Sequence, residues 1–294
     1  MRNILLILLL TTSGASLAMG KPLVVCLEEN ALPYSDPEGG IDNDVALAVA
    51  DGLGLPLLIH WYETEEGDEG NPVLQVNALL SGGYCDIAGG FPLAKNSFAD
   101  PGEQRYPLET GGGQRTFIAL KPLAPSEPYH AIDYRLIHRP DQPLNVADLD
   151  DLVDLKVVAE ENSIADLLLM AHRGGILRNS IHHVKPGDNT LFQALIKQQA
   201  DAGWIARHRF ESWRREVSMK ALVDSGFDHD FSINLGFAAL HSNQQLIERI
   251  DELIIELIDD EELETLFSRR GLTFRPPEPP TLMPPISQRL FQLY

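Results

Sequence analysis

Between positions 23 and 91 the alternation of apolar and polar residues changes period several times, and each change marks an element. Leu23-Val24-Val25 opens a short β-branched run that stops at a polar loop, LEENALPYS. Val45, Val49 and Leu53 then recur at i, i+4 and i+8, the spacing of one helix face. Leu57 to Trp61 predicts a second strand. Asn71 as cap, Pro72 at the first helical position and Gly82–Gly83 past the end delimit a second helix, before a third strand that runs to Phe91. Three strands joined by two helices predict right-handed βαβ units and a parallel sheet. In such a sheet the strand ends at 27–35 and 89–92 share one rim, where ligands bind.

The same order returns later. LKVVAE (155–160) reads as a strand, and ENSIADLLLMAHR as a helix with Ser163 and Asp166 at capping spacing and Gly174–Gly175 as its stop. IHHVK (181–185) is the next strand. GDNTLFQALIKQQA is a helix carrying Leu191, Leu195 and Gln198 at helical spacing, and DAGWIA (201–206) is a third strand. INLGFAALH (233–241) is a strand able to return the chain to its first half. NQQLIERIDELIIELI keeps Leu246, Ile250, Leu253 and Leu257 on one face, and a shorter helix ends at Gly271. The stretch 121–145 carries five prolines and no period, which reads as a crossover with an inserted loop. The pattern therefore predicts an α/β chain of two lobes. Each has a mainly parallel sheet flanked by helices, and two crossing strands join them. Lobe 1 takes 19–118 plus 236–271, lobe 2 takes 119–235, and 272–294 is an extended proline-rich tail.

Composition adds an address. Arg2, the apolar run Ile4–Leu10 and Ser16-Leu17-Ala18 make residues 1–18 read as a cleaved signal peptide. The run is far shorter than the roughly 20 residues of a spanning helix, so the expected product is exported, with no membrane insertion. The chain carries 43 acidic against 23 basic residues, a net charge of −20 that repels nucleic acid and anionic lipid. Cys26 and Cys85 fall in the first strand and at the start of the third. In an oxidising compartment they read first as a disulfide, the alternative being two buried thiols. No hydrolase or metalloprotease motif is present, and His182 and His183 in one strand point to opposite faces. No enzyme activity, metal site or cofactor is expected.

The stretches LVVCLEENALPYS, GGIDNDVALAVADGLGL, LLSGGYCDIAGG, LDDLVDLKVVAEENSIAD, LFQALIKQQADAGWIA and GFAALHSNQQLIERIDELIIEL resemble, in order, the family 3 (amino-acid type) members of the type II periplasmic solute-binding proteins. Within that family Cys26, LPYS at 32–35, GYCD at 83–86 and GFP at 90–92 are similar to the branch associated with quinoprotein (methanol-type) dehydrogenases. The segment ETEEGDEGN departs from that branch, which is basic there. The resemblance implies a periplasmic solute-binding protein of ABC-transporter type that offers a small-molecule ligand to an ABC permease. The alternative it implies is an accessory protein of a periplasmic quinoprotein dehydrogenase.

Family 3 amino-acid binders hold the ligand carboxylate with an arginine after the third strand and the ammonium with an aspartate after the second-lobe strand. Those positions fall near Ser97 and Ala206 here, so both ends of the clamp are missing. Without a bidentate partner a carboxylate loses charge-assisted hydrogen bonds worth roughly 1.5–3 kcal/mol each. A standard α-amino acid is therefore not the expected ligand unless Arg105 or Arg115 reaches the site. The candidate ligand-binding residues are Glu28, Tyr34, Gly90, Phe91, Asn162, Ser163 and Trp204. Helix-start N–H groups at Asn162 and Ser163 favour an anion, but Glu160 and Glu161 beside them oppose one. The set suits a cationic or neutral polar guest. For Phe91 and Trp204 a place in the core is the competing reading.

Overall fold

The computed structural model describes residues 20–64, 71–110, 114–161, 163–185, 187, 189–217 and 221–284. The signal peptide read at 1–18, Asn162, and 285–294 lie outside these residues. The first half runs β1 (Leu23–Glu28), α1 (Ile41–Leu53), β2 (Leu57–Tyr62), α2 (Pro72–Ser81) and β3 (Ile87–Pro92). α2 starts and stops where the pattern places it, and α1 carries Val45, Val49 and Leu53 on its buried face. Asn71 Oδ1 accepts from the Leu74 amide with Pro72 in the first turn, and Gly54 ends α1 in the left-handed conformation. A hairpin follows, β4 (Arg105–Thr110) and β5 (Gln114–Ala119), then β6 (Leu123–Pro125).

The crossover is β7 (His130–His138). The second half then runs β8 (Val157–Glu160), α3 (Ile164–Ala171), β9 (Ile181–Val184), α4 (Thr190–Ile196), β10 (Ala202–Ala206), α5 (Arg207–Glu216) and β11 (Val223–Asp224). Ser163 Oγ accepts from the Asp166 amide, the predicted cap of α3. The return strand is β12 (Ser232–Leu240), followed by α6 (Gln244–Asp259) and α7 (Glu262–Arg269). Two details differ from the pattern. Gln198 lies beyond α4 at φ 58°, so α4 is shorter than predicted. The buried stripe of α6 is Ile247, Ile250, Ile254 and Leu257, with Leu246 and Leu253 only flanking it, because Leu253 lies over Gly52 of α1.

The main sheet has the order β2-β1-β3-β12-β7-β10-β8-β9. Its ends are parallel, β2-β1-β3 and β10-β8-β9, and the crossing strands between them are antiparallel. β7 pairs with β12 over 130–133 and with β10 over 134–138. β12 leaves β7 at Leu235 to pair with β3 and β6. Each crossing strand thus serves both halves, so the ladder passes through the crossing without the break that a separate sheet in each lobe predicts.

Helices cover both faces, so β1 is buried on each: Val25 and Leu27 on the α1 side, Cys26 on the α2 side. Cys26 and Cys85 form a disulfide with Cα atoms 5.6 Å apart, in the neighbouring-strand placement expected. No described helix is long and apolar enough to cross a membrane.

The tail does not simply trail away. Thr273 donates its amide and hydroxyl to Glu211 of α5, and its carbonyl meets His208 Nε2 at 2.9 Å. Arg275 O accepts from the Ala131 amide on β7, and the Asn234 side chain on β12 donates to Glu278 O at 2.7 Å. Met283 then exchanges backbone hydrogen bonds with Leu93 and Lys95 in the first half. The tail is a strap that passes from α7 over the second half and the crossing strands, then back.

Candidate functional site

Where β1, β3 and the start of α1 meet the crossing strands, a cavity of about 150 Å³ opens between the halves. Its polar lining comes mainly from the first half, with Glu28 at the end of β1, Tyr34 in the next loop, Asp42 in the first turn of α1 and Tyr62 at the end of β2, joined by Tyr134 of β7. Its apolar lining comes mainly from the other side, with Ile132 on β7, Ile164 on α3 and Ile233 on β12. None of the residues that line it is basic. Arg105 and Arg115 sit on the β4–β5 hairpin, where Arg115 is 3.7 Å from Glu109, and neither lines the cavity.

Asp42 is the group that sequence reasoning missed. It is only 2% exposed, and the Tyr129 hydroxyl donates to its Oδ1 at 2.7 Å. The same hydroxyl accepts from the Gly90 amide at 2.7 Å. Oδ2 takes no hydrogen bond from the described residues and lies against Gly90, where a Cβ would come within 2.7 Å of it. Gly90 also has φ 65°, so both the backbone and the carboxylate require glycine there. Burial pushes the Asp42 carboxyl up to about 7, against the Tyr129 hydrogen bond, with Glu28 adding to the rise. His130 Nε2 is 4.0 Å from Oδ1, but burial holds that imidazole neutral by lowering its pKa. The phenols of Tyr34, Tyr62 and Tyr129 are pushed up by burial and stay neutral. Among the described residues no cation compensates the charge of Asp42. Arg270, beside that end of α1, is held by Asp44.

Tyr34 Oη is buried and has no hydrogen-bond partner. The ring packs against His208 at 5.8 Å and His130 at 6.4 Å. The loop that carries it is fixed by Ser35, which donates to Glu28 O at 2.7 Å, and by Gly40, where a Cβ would meet Tyr34 O at 2.1 Å. The Glu28 carboxylate accepts from the Thr64 hydroxyl.

Of the predicted residues, Glu28, Tyr34 and Gly90 line the cavity. Phe91 does not: along β3 it points opposite to Pro92, into the α2 side, edge-on to Phe98 at 5.5 Å. Trp204 does not either. It is 1% exposed and packs against Tyr134 and Phe227 at 6.4 and 5.8 Å, so its size is used in the core. Ser163 caps α3 and leaves Ile164 to line the cavity. Glu160 is paired with Arg209 Nη2 at 3.0 Å, while Arg209 Nη1 donates to Leu32 O at 3.4 Å across the two halves. One group elsewhere has metal-ligand spacing among the described residues, Asp148, Asp150 and His172. There Asp150 is already engaged by His172 and Arg173.

This fold, a mixed sheet with flanking helices and a cavity at two crossing strands, is the type II periplasmic-binding fold. Solved structures with that fold include a histidine kinase sensor domain with similarity to periplasmic binding proteins (TM-score 0.60, 17% identity, 88% of this chain and 99% of that one). The L-cystine solute receptor of Neisseria gonorrhoeae, in its unliganded open conformation, has TM-score 0.60 at 16% identity, over 87% and 95% of the two chains. An amino acid ABC transporter substrate-binding protein of Streptococcus pneumoniae, bound to L-arginine, has TM-score 0.59 at 16% identity, over 85% and 93%. Of the last two, the first is a solute receptor and the second a transporter substrate-binding protein. No family model and no curated protein matches the chain.

Proposed function

We propose that this is an exported, periplasmic solute-binding protein of ABC-transporter type that takes a small polar solute between two lobes, 19–118 with 236–271 and 119–235. The solute is not a standard α-amino acid. The observation that carries this reading is the cavity at the crossing strands, lined from both halves and free of basic residues. An α-carboxylate would meet Asp42 and Glu28 there and no guanidinium. Closing the halves over a guest by hinge motion follows the repertoire of such two-lobed binders. A thermal-shift screen of amino acids, dicarboxylates, polyamines and small alcohols tests it, since a ligand of the folded state raises the melting temperature by mass action. At least one solute without an α-carboxylate should raise it. A larger rise with an acidic or neutral α-amino acid than with any other solute would overturn the reading.

The strap supports a second reading, an accessory protein of a periplasmic quinoprotein dehydrogenase built on the same fold. Hydrogen bonds tie residues 273–283 to the Glu211 side chain of α5 and to the backbone of β7 and of the segment after β3. They oppose the relative motion that solute capture and release require. Pull-down from periplasm with the full chain separates the two, because a dehydrogenase partner would be retained whether or not a solute is present.

A further inference from the structure

We infer that the guest of the cavity is a small organic ammonium ion without a carboxylate, bound at Asp42 in exchange for a proton. This rests on the solute-binding reading and names the class of solute. The first observation is the carboxylate of a buried aspartate at the cavity wall, one of whose oxygens takes no hydrogen bond from the described residues. Asp42 Oδ1 is held by Tyr129, while Oδ2 has no such donor and faces Gly90 at the cavity wall. The second is the Tyr34 hydroxyl, buried in the same lining and also without a partner. Buried polar atoms are nearly always hydrogen-bonded, so the open Tyr34 hydroxyl, on the same lining as the Asp42 carboxylate, marks where a guest's polar end belongs.

The lining also sets the guest's polarity from end to end. Asp42, Glu28 and Tyr34 form the acceptor end, and Ile132, Ile164 and Ile233 form a wall opposite that is apolar but for the phenol of Tyr134. An alkylammonium ion places its N–H donors on the first half and its carbon chain on the second. The volume of about 150 Å³ is that of a cavity able to hold a benzene-sized guest, so about six non-hydrogen atoms fit. A second charged end, such as a carboxylate, would lie against isoleucines and the neutral Tyr134 phenol, with no basic residue in the lining to receive it.

The charge balance of the exchange follows from the surroundings of Asp42. Facing it are Glu28 from β1, Tyr34 from the following loop, Tyr62 from β2, and Tyr129 and His130 at the start of β7. The phenols and the imidazole stay neutral, and the only charge among them is another carboxylate. With the carboxyl of Asp42 pushed up to about 7, the empty site holds a proton below that pH. The ammonium nitrogen takes the place beside Oδ2, and the proton leaves to solvent. One positive charge enters and one departs.

The test is calorimetry of the full mature chain with isopropylammonium and 2-hydroxyethylammonium ions, repeated at about pH 5, 6, 7 and 8 and in two buffers of different ionisation enthalpy. The dissociation constant should fall about tenfold per pH unit up to about 7 and level off above it. The buffer dependence should report about one proton released per ion bound at low pH. Asp42→Asn keeps an acceptor for Tyr129 and should abolish both the binding and its pH dependence. The uncharged isostere isopropanol and the zwitterion β-alanine should bind at least tenfold more weakly than the ammonium ions. Because the pH series and the isosteres use the unaltered protein, the outcome does not depend on the variant folding. PH-independent binding, equal binding of isopropanol, or full binding by Asp42→Asn overturns the inference. If an uncharged solute binds while the ammonium ions do not, this inference fails and the solute-binding reading stands. If no solute in the wider panel binds, both fail.

Discussion

Two aspartates are almost wholly buried where the halves meet, and the chain treats them in opposite ways. Asp133, on the crossing strand β7, is 1% exposed and is engaged by three guanidinium groups. Arg207 Nε lies 2.9 Å from both oxygens, Arg135 Nη2 at 2.9 Å and Arg275 Nη1 at 3.1 Å from Oδ2. Asp42 is 2% exposed and is given one hydroxyl and no cation. A buried charge is tolerated when its partners and hydrogen bonds replace lost hydration, which describes Asp133. Where they do not, the group shifts its pKa and keeps its proton, which describes Asp42 near neutral pH. The first arrangement fixes a structure. The second leaves capacity for a guest.

The largest expected effect comes from breaking the paired member. Asp133→Asn leaves Arg135, Arg207 and Arg275 clustered at the crossing without their common carboxylate. Breaking a buried ion pair from one side costs about 3–5 kcal/mol. Chemical denaturation should show a loss of that order, together with release of the strap, since Arg275 belongs to it. A loss below about 1 kcal/mol would show that Asp133 is not the anchor of the crossing.

The unpaired member should give the opposite sign. The carboxyl of Asp42 moves from 3.8 in the unfolded chain to about 7 in the folded one. Between these values the folded state binds more protons than the unfolded state, so stability falls as pH rises through that window and is level above it. A shift of this size amounts to about 4 kcal/mol as an upper bound. Asp42→Asn removes the penalty. Relative to the variant, the wild type should lose stability from about pH 4 to about pH 7 and nothing further above. Parallel stability–pH curves for the two proteins would refute an uncompensated Asp42.

Which of these features could be read from the sequence depends on how local their causes are. The β1-α1-β2-α2-β3 unit is coded by period and by caps within a few residues, as at Asn71 and Ser163, and the structure follows it. The Cys26–Cys85 disulfide needed only the neighbouring placement of β1 and β3. β7 was hidden because prolines crowd both of its flanks, and its partners β10 and β12 come much later in the chain. α5 was hidden by its charge: in RHRFESWRRE only His208, Phe210 and Trp213 are buried. Asp42 carried no signal of its own, since an acid in a first helical turn is ordinary helix chemistry. Its role depends on Tyr129, distant in sequence, and on Gly90. Asp133 likewise draws its arginines from positions 135, 207 and 275. Phe91 and Trp204 show the converse limit. An aromatic at a strand end can face either side, and packing sends both to the core.

The smallest expected effect sharpens the comparison at a single hydrogen bond. Tyr129 donates to Asp42 Oδ1 and accepts from the Gly90 amide, so it is the one neutral donor that opposes the effect of burial on the carboxyl. Hydrogen bonds to charged groups contribute about 1.5–3 kcal/mol, and about 1.4 kcal/mol corresponds to one pKa unit. Tyr129→Phe should therefore move the midpoint of the wild-type stability–pH curve upward by about one to two units. It should also cost about 1–3 kcal/mol at low pH, because the Gly90 amide loses its acceptor. Tyr62 supplies the control. It lines the same cavity but makes no hydrogen bond to Asp42, so Tyr62→Phe should leave the midpoint in place. The midpoint can be followed by the pH dependence of the denaturation free energy, with the Asp42→Asn curve as baseline. An unmoved midpoint in Tyr129→Phe, or an equal movement in Tyr62→Phe, would mean that general burial alone sets the Asp42 proton.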